Sequence, residues 1–107
     1  MNNSSRPEKL PYPENLITAL GLVNVFGEDK YTDLTDNQLK GLETALNTLS
    51  EREREIIKQR YEEHYTLQKS ADHFGISRER IRQILNEAVA KLRHPKMCKL
   101  YNLNPVQ

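Results

Sequence analysis

Residues 66–95 read TLQKSADHFGISRERIRQILNEAVAKLRHP, and the fold turns on how this stretch divides into two helices. Thr66 is a residue type that caps a helix start, Gly75 tolerates the positive φ that a tight helix end requires, and Ser77 can cap again. The spacing predicts a short helix over Leu67–Phe74 and a longer one from Arg78 to about His94, stopped by Pro95. Helices joined by so short a turn cross at a steep angle. The first then needs a small residue at the crossing, and Ala71 is there. The second needs apolar residues facing the first, and Ile81 and Ile84 are there, with Phe74 and Ile76 closing the sides. A helix-turn-helix meets all these demands together; a plain αα-hairpin is the competing reading.

Plotted at 3.6 residues per turn, the second helix carries Ile81, Ile84, Leu85, Ala88 and Leu92 on one side and Arg78, Glu79, Arg82 and Gln83 on the other. The second group has the chemistry of base readers: arginine donates twice to guanine, glutamate accepts from cytosine, and glutamine pairs with adenine. The start of the second helix is also the part of this motif that enters the major groove. Arg80 falls to the flank. Phosphate contacts are expected from Thr66, Lys69, Ser77, Arg80 and Lys91, the first four of which lie at helix N-termini that offer free backbone donors. Arg93, Lys96 and Lys99 add positive charge beyond them, and ordinary solubility is the alternative explanation for that charge.

Working toward the N-terminus, Ser50 and Glu53 have the spacing of a capping box for a helix whose inner face is Ile56, Ile57 and Tyr61. Arg52, Glu53, Arg54 and Glu55 read as a solvated face. Thr35 caps the helix before it, which carries the stripe Leu39, Leu42, Leu46 and Leu49. Gly41 inside that helix marks a close helix contact, because a glycine there otherwise costs about 1 kcal/mol relative to alanine. Glu14–Leu22 is read as a short helix with Leu16, Ile17 and Leu20 on one face, and Val23, Val25 and Phe26 as packed residues. The expected organisation is a flexible arm over 1–13, an N-terminal extension over 14–33, a helix-turn-helix domain over 34–96 and a patternless tail over 97–107. The fold class is all-α: a small helical bundle ending in a helix-turn-helix, without a winged helix.

The chain has 107 residues, 36% hydrophobic and 29% charged, with a net charge of +1. The charge is unevenly spread. Residues 1–68 hold eight Lys and Arg against twelve Asp and Glu, and residues 69–107 hold eight against three. A basic second half points to a polyanion partner, although two ordinary solvated surfaces give the same count. The lone Cys98 excludes an internal disulfide, and neither a signal peptide nor a run of apolar residues long enough for a membrane span is readable. The expectation is a cytoplasmic protein that does not bind membranes. His94 and Cys98 are spaced like half a metal site without a second half, and no phosphate loop or catalytic triad is present. The chain is therefore expected to be no enzyme, with no catalytic residue, metal or cofactor.

From Thr48 to Pro95 the sequence closely resembles region 4 of the sigma-70 family, bacterial initiation factors that direct RNA polymerase to promoters. The resemblance rests on TLSEREREIIKQRY, on TL at Thr66–Leu67, on FGISRERIRQI and on KLRHP. It implies a sequence-specific transcription factor, of bacterial or phage origin, that binds the double-stranded DNA of a −35-like promoter element. Arg78, Glu79 and Gln83 would then face bases, and Arg82 a base or the backbone. It also implies contact between the helices of Leu39–Tyr61 and the β flap of the RNA polymerase core, with Leu39, Leu42, Leu46 and Ile57 as candidate polymerase-facing residues. The match has departures. Gln68, Lys69 and Ser70 stand where the family often has two acids and an aliphatic core residue, so the first helix of the motif is expected to be held less tightly. Leu85-Asn86-Glu87 stands where the family usually has Glu-Ala-Lys, which removes a positive group that helps meet activators. No segment of residues 1–47 fits a −10-binding domain, so this chain alone is not expected to melt a promoter; half of a split sigma factor, an accessory factor and a free-standing regulator are all open. Two alternatives remain beside the leading one: a dimeric helix-turn-helix repressor or activator, and a polymerase- or sigma-interacting protein without DNA readout.

Overall fold

The four longest described helices start on the caps that their sequence announces. The computed structural model describes residues 11–24, 35–101 and 103–105. Within them, α1 spans Leu16–Ala19, β1 Leu22–Asn24, α2 Asp36–Thr48, α3 Glu51–Tyr61, α4 Leu67–Phe74, α5 Arg78–Leu92, α6 Pro95–Tyr101 and β2 Leu103–Pro105. Thr35 and Gln38 form a reciprocal capping box at α2, and Ser50 and Glu53 form one at α3. Each box satisfies two backbone donors that a helix start leaves open. Thr66 and Ser77 accept from the third N–H of α4 and α5.

The bundle is all-α apart from one small ribbon. Three apolar layers meet in a single core: Leu42, Ala45, Leu46 and Leu49 from the α2 segment, Ile56 and Ile57 from α3, and Ile81, Ile84, Leu85, Ala88 and Leu92 from α5. Packing runs α2 on α6, α3 on α5 and α4 on α5. Burial of the leucines and isoleucines among them, each worth about 1.5–3 kcal/mol when complete, is the main force holding the helices together.

The ends of the described chain depart from the sequence reading. The expected tail is a built part of the core. Pro95 does stop α5, but it also occupies the first position of α6, where a proline loses no hydrogen bond. The carbonyl of His94 accepts from the Met97 and Cys98 backbones and its Nδ1 from the Lys96 N–H, so His94 caps the new helix. Cys98, Tyr101 and Leu103 are then buried, and the Tyr101 hydroxyl donates to the Leu92 carbonyl. Burial pushes the Tyr101 phenol well above its ordinary pKa. Gly41 does mark a close approach: a Cβ there would overlap the carbonyl oxygen of Leu100 on α6. Gln38 fixes the same contact by donating to the Tyr101 carbonyl at 2.9 Å.

At the other end, the helix expected over Glu14–Leu22 is confined to α1. Gly21 takes a φ of 67° and turns the chain into β1. Leu16, Ile17, Leu20 and Leu22 enter the core, and Asn15 donates to the carbonyl of Tyr61 at 2.8 Å. Tyr12 and Pro13, assigned to the arm, are half-buried, and Tyr12 packs on the core. β1 pairs antiparallel with β2, in the register Leu22 with Pro105 and Asn24 with Leu103. Residues 1–10, most of the expected arm, and Val25 and Phe26 lie outside the described residues.

Candidate nucleic-acid interface

The helix-turn-helix is assembled from short-range signals. Gly75 caps α4 in the left-handed region, at φ 67° and ψ 34°, and its N–H bonds the Ala71 carbonyl. Ile76 N–H bonds the same carbonyl at 3.1 Å. Ala71 and Ile81 are completely enclosed where α4 and α5 pack, while Phe74 and Ile76 are half-buried against the core. Ser77 then starts α5 with its hydroxyl accepting from Arg80 N–H at 3.0 Å. The first two turns of α5 bury Ile81 and Ile84 in the core and leave the opposite side of the helix exposed.

Arg78, Glu79, Arg82 and Gln83 are all exposed on that side. Arg82 clamps Glu79 through Nε at 3.0 Å and through a second, shorter contact from its terminal nitrogen. The hydrogen bond from Arg82 holds the Glu79 carboxyl below its ordinary pKa. Arg80 Nη1 donates to Gln83 Oε1 at 3.3 Å. Arg78 has no hydrogen-bond or ion-pair partner among the described residues. The four candidate base readers thus form one patch, two of them held in fixed mutual geometry. Preordered side chains lose less conformational entropy on binding.

The candidate phosphate contacts divide. Thr66 and Ser77 are exposed at helix starts and spend one acceptor each on their caps. Lys69 is exposed in the first turn of α4 with its ammonium 4.3 Å from the centre of the Tyr65 ring, a cation–π contact that the sequence reading missed. Lys91 is exposed but has an acidic partner of its own. It stands on the α3-facing flank of α5, close to the line of Ile84, and its Nζ lies 2.7 Å from Glu53 Oε2. Its partner Glu53 is a correction, since this residue of the expected solvated face is only 6% exposed. Burial opposes its ionisation, but hydrogen bonds from Lys91 and from Ser50 outweigh burial and hold its carboxyl below the ordinary range. The capping-box spacing announced the bond to Ser50. Nothing in the local sequence announces a lysine 38 residues away.

The polymerase-facing candidates also need correction. Leu42 and Ile57 have no exposed surface and Leu46 is 7% exposed, because the helix stripe they form is the core itself. Leu39 alone of the four is half-buried. What α2 and α3 show instead is an open groove of about 640 Å³ with Tyr12 and Pro13 at its edge. Four glutamates, Glu43, Glu51, Glu55 and Glu63, line it beside Arg54 and Lys58. Among the described residues no cluster of three His, Cys, Asp or Glu is placed to hold a metal ion. No described helix is long and apolar enough to cross a membrane.

Residues 45–94 match the family model described as sigma-70, region 4. The RNA polymerase sigma factor SigA of Microcystis aeruginosa is 42% identical over 74 residues, which cover 64% of this chain and 18% of that protein. The SigA of a Bacillus species is 44% identical over 62 residues, covering 54% of this chain and 16% of that protein. The chain therefore spans less than a fifth of the length of these curated relatives. No solved structure matches the chain.

Proposed function

We propose, from the premise that residues 45–94 are a sigma-70 region 4 domain, that this protein is a DNA-binding transcription factor associated with RNA polymerase. In this reading it recognises a −35-like promoter element by laying the start of α5 in the major groove. The observation that carries the reading is the exposed patch of Arg78, Glu79, Arg82 and Gln83 at the N-terminal end of a helix whose opposite side is buried. Those side chains supply donors for guanine, an acceptor for cytosine and an amide for adenine. The starts of α4 and α5, with Lys69 beside one of them, are suited to the phosphates on either side. Polymerase would meet the groove between α2 and α3, lined by its glutamates and by Leu46, rather than the enclosed Leu42 and Ile57, with Leu39 as a further contact residue. The names of the SigA relatives support the polymerase association.

The test is a pull-down of RNA polymerase core on duplex DNA carrying a −35-type element, with wild-type chain, Arg78→Ala and Glu79→Ala. Wild type is expected to join polymerase and DNA in one complex, and Arg78→Ala to lose about 1–3 kcal/mol of binding and relax the choice of base at its position. Equal binding of wild type and Arg78→Ala to promoter and scrambled duplexes would sink the base-reading claim. A tight dimer that ignores polymerase would favour a free-standing repressor or activator.

A further inference from the structure

We propose that Asn86 is a further base-reading residue, extending the face of α5 by one turn so that its carboxamide selects an A·T pair beside the pair met by Gln83. The inference rests on the reading of α5 as the recognition helix. Asn86 follows Gln83 by three residues and Arg82 by four, which puts it on the same stripe of the helix. It is exposed, and among the described residues its carboxamide has no hydrogen-bond partner. Glu79 with Arg82, and Arg80 with Gln83, are by contrast paired with each other. An asparagine amide presents one donor and one acceptor in the arrangement that matches the N6 and N7 edge of adenine.

Position along the helix agrees. Three residues advance the axis by roughly 4.5 Å, a little more than the roughly 3.4 Å between successive bases of one strand. One turn further along the stripe stands Ala90, which is exposed and has no polar side-chain atom, so the reading face ends at Asn86. The sequence sharpens the point: the sigma-70 resemblance has alanine at this position, which can contact but not pair with a base. The chain would therefore choose a base pair to which alanine at this position could make no hydrogen bond.

The experiment is selection at low salt from a fully randomised duplex pool, run with wild type, Arg78→Ala, Gln83→Ala and Asn86→Ala. Asn86 is on the surface of a helix, where alanine is the better helix former, so the variant is expected to fold. Wild type should enrich an A·T pair directly beside the pair whose preference disappears in Gln83→Ala. Asn86→Ala should lose that one preference, by roughly 5- to 100-fold as for one bidentate pair, and keep the rest. A pool identical to that of wild type would overturn the inference while Arg78→Ala upholds the recognition helix. So would uniformly weaker binding with unchanged preferences, which is the mark of a phosphate contact. If wild type and Arg78→Ala both recover an unenriched pool, the recognition-helix reading itself falls, and this inference with it.

Discussion

Ser70 occupies a position that the family resemblance gives to an aliphatic residue, and its hydroxyl donates to Gln59 Oε1 at 2.6 Å with both side chains buried. The sequence shows the odd serine but not its partner, because nothing local links two residues on different helices. The expectation that α4 is held loosely therefore meets a compensating bond. Ser70→Ala would leave the Gln59 amide oxygen buried without a donor, at a cost of about 1–3 kcal/mol. Adding Gln59→Leu removes both polar groups and should return much of that loss. Urea unfolding of the two single variants and the pair checks this, and strictly additive losses would refute it. Glu53 gives a prediction in pH. Its pKa is lowered by folding, so its contribution is present above its unfolded value, about 4.3, and disappears as pH falls through the lower folded value. Glu53→Gln should therefore lower the melting temperature at pH 7 and flatten the acid limb of stability below pH 4. A variant with the full acid dependence of wild type would contradict the ion pair.

Helices α2 to α5 are the elements that the sequence describes best, since each has a cap residue, an apolar stripe and a stop within a few positions. α6 is the element it hides. Seven residues make two turns, and its buried anchors Cys98 and Tyr101 form too short a stripe to show a period. Its docking site was nevertheless marked from the other side, by Gly41. In an exposed helix Gly→Ala stabilises by about 1 kcal/mol; here the new methyl meets the Leu100 carbonyl. Gly41→Ala should instead destabilise by about 1–3 kcal/mol, as overpacking does, and raise amide exchange in α6 before that in α5. A stabilised Gly41→Ala would show that α6 does not sit on α2. Within the interface, the same contrast between local and long-range signals separates two lysines. Lys69→Ala should reduce the salt slope of DNA binding by about one unit. Lys91→Ala should leave the slope unchanged and lower the melting temperature, because its charge is spent on Glu53. Both readouts come from fluorescence titrations at several salt concentrations together with thermal scans.

Across the whole molecule, charge and covering follow different plans. The acidic half of the chain supplies the groove of α2 and α3, and the basic half carries α5. The two proposed partners would therefore meet surfaces of opposite character. Composition made that division legible. The covering of α2 by α6, and the pairing of β1 with β2, were not, because both depend on segments far apart in sequence. The β1–β2 ribbon joins the most distant of them: Leu22 faces Pro105. That pairing also sets a schedule. Translation supplies about 5–20 residues each second, so β1 leaves the ribosome roughly 4–16 s before its partner strand. The helix-turn-helix is then completed while the edge of β1 still waits uncovered. A chaperone or protease that samples this protein during synthesis would find this strand closed only after the helix-turn-helix is complete.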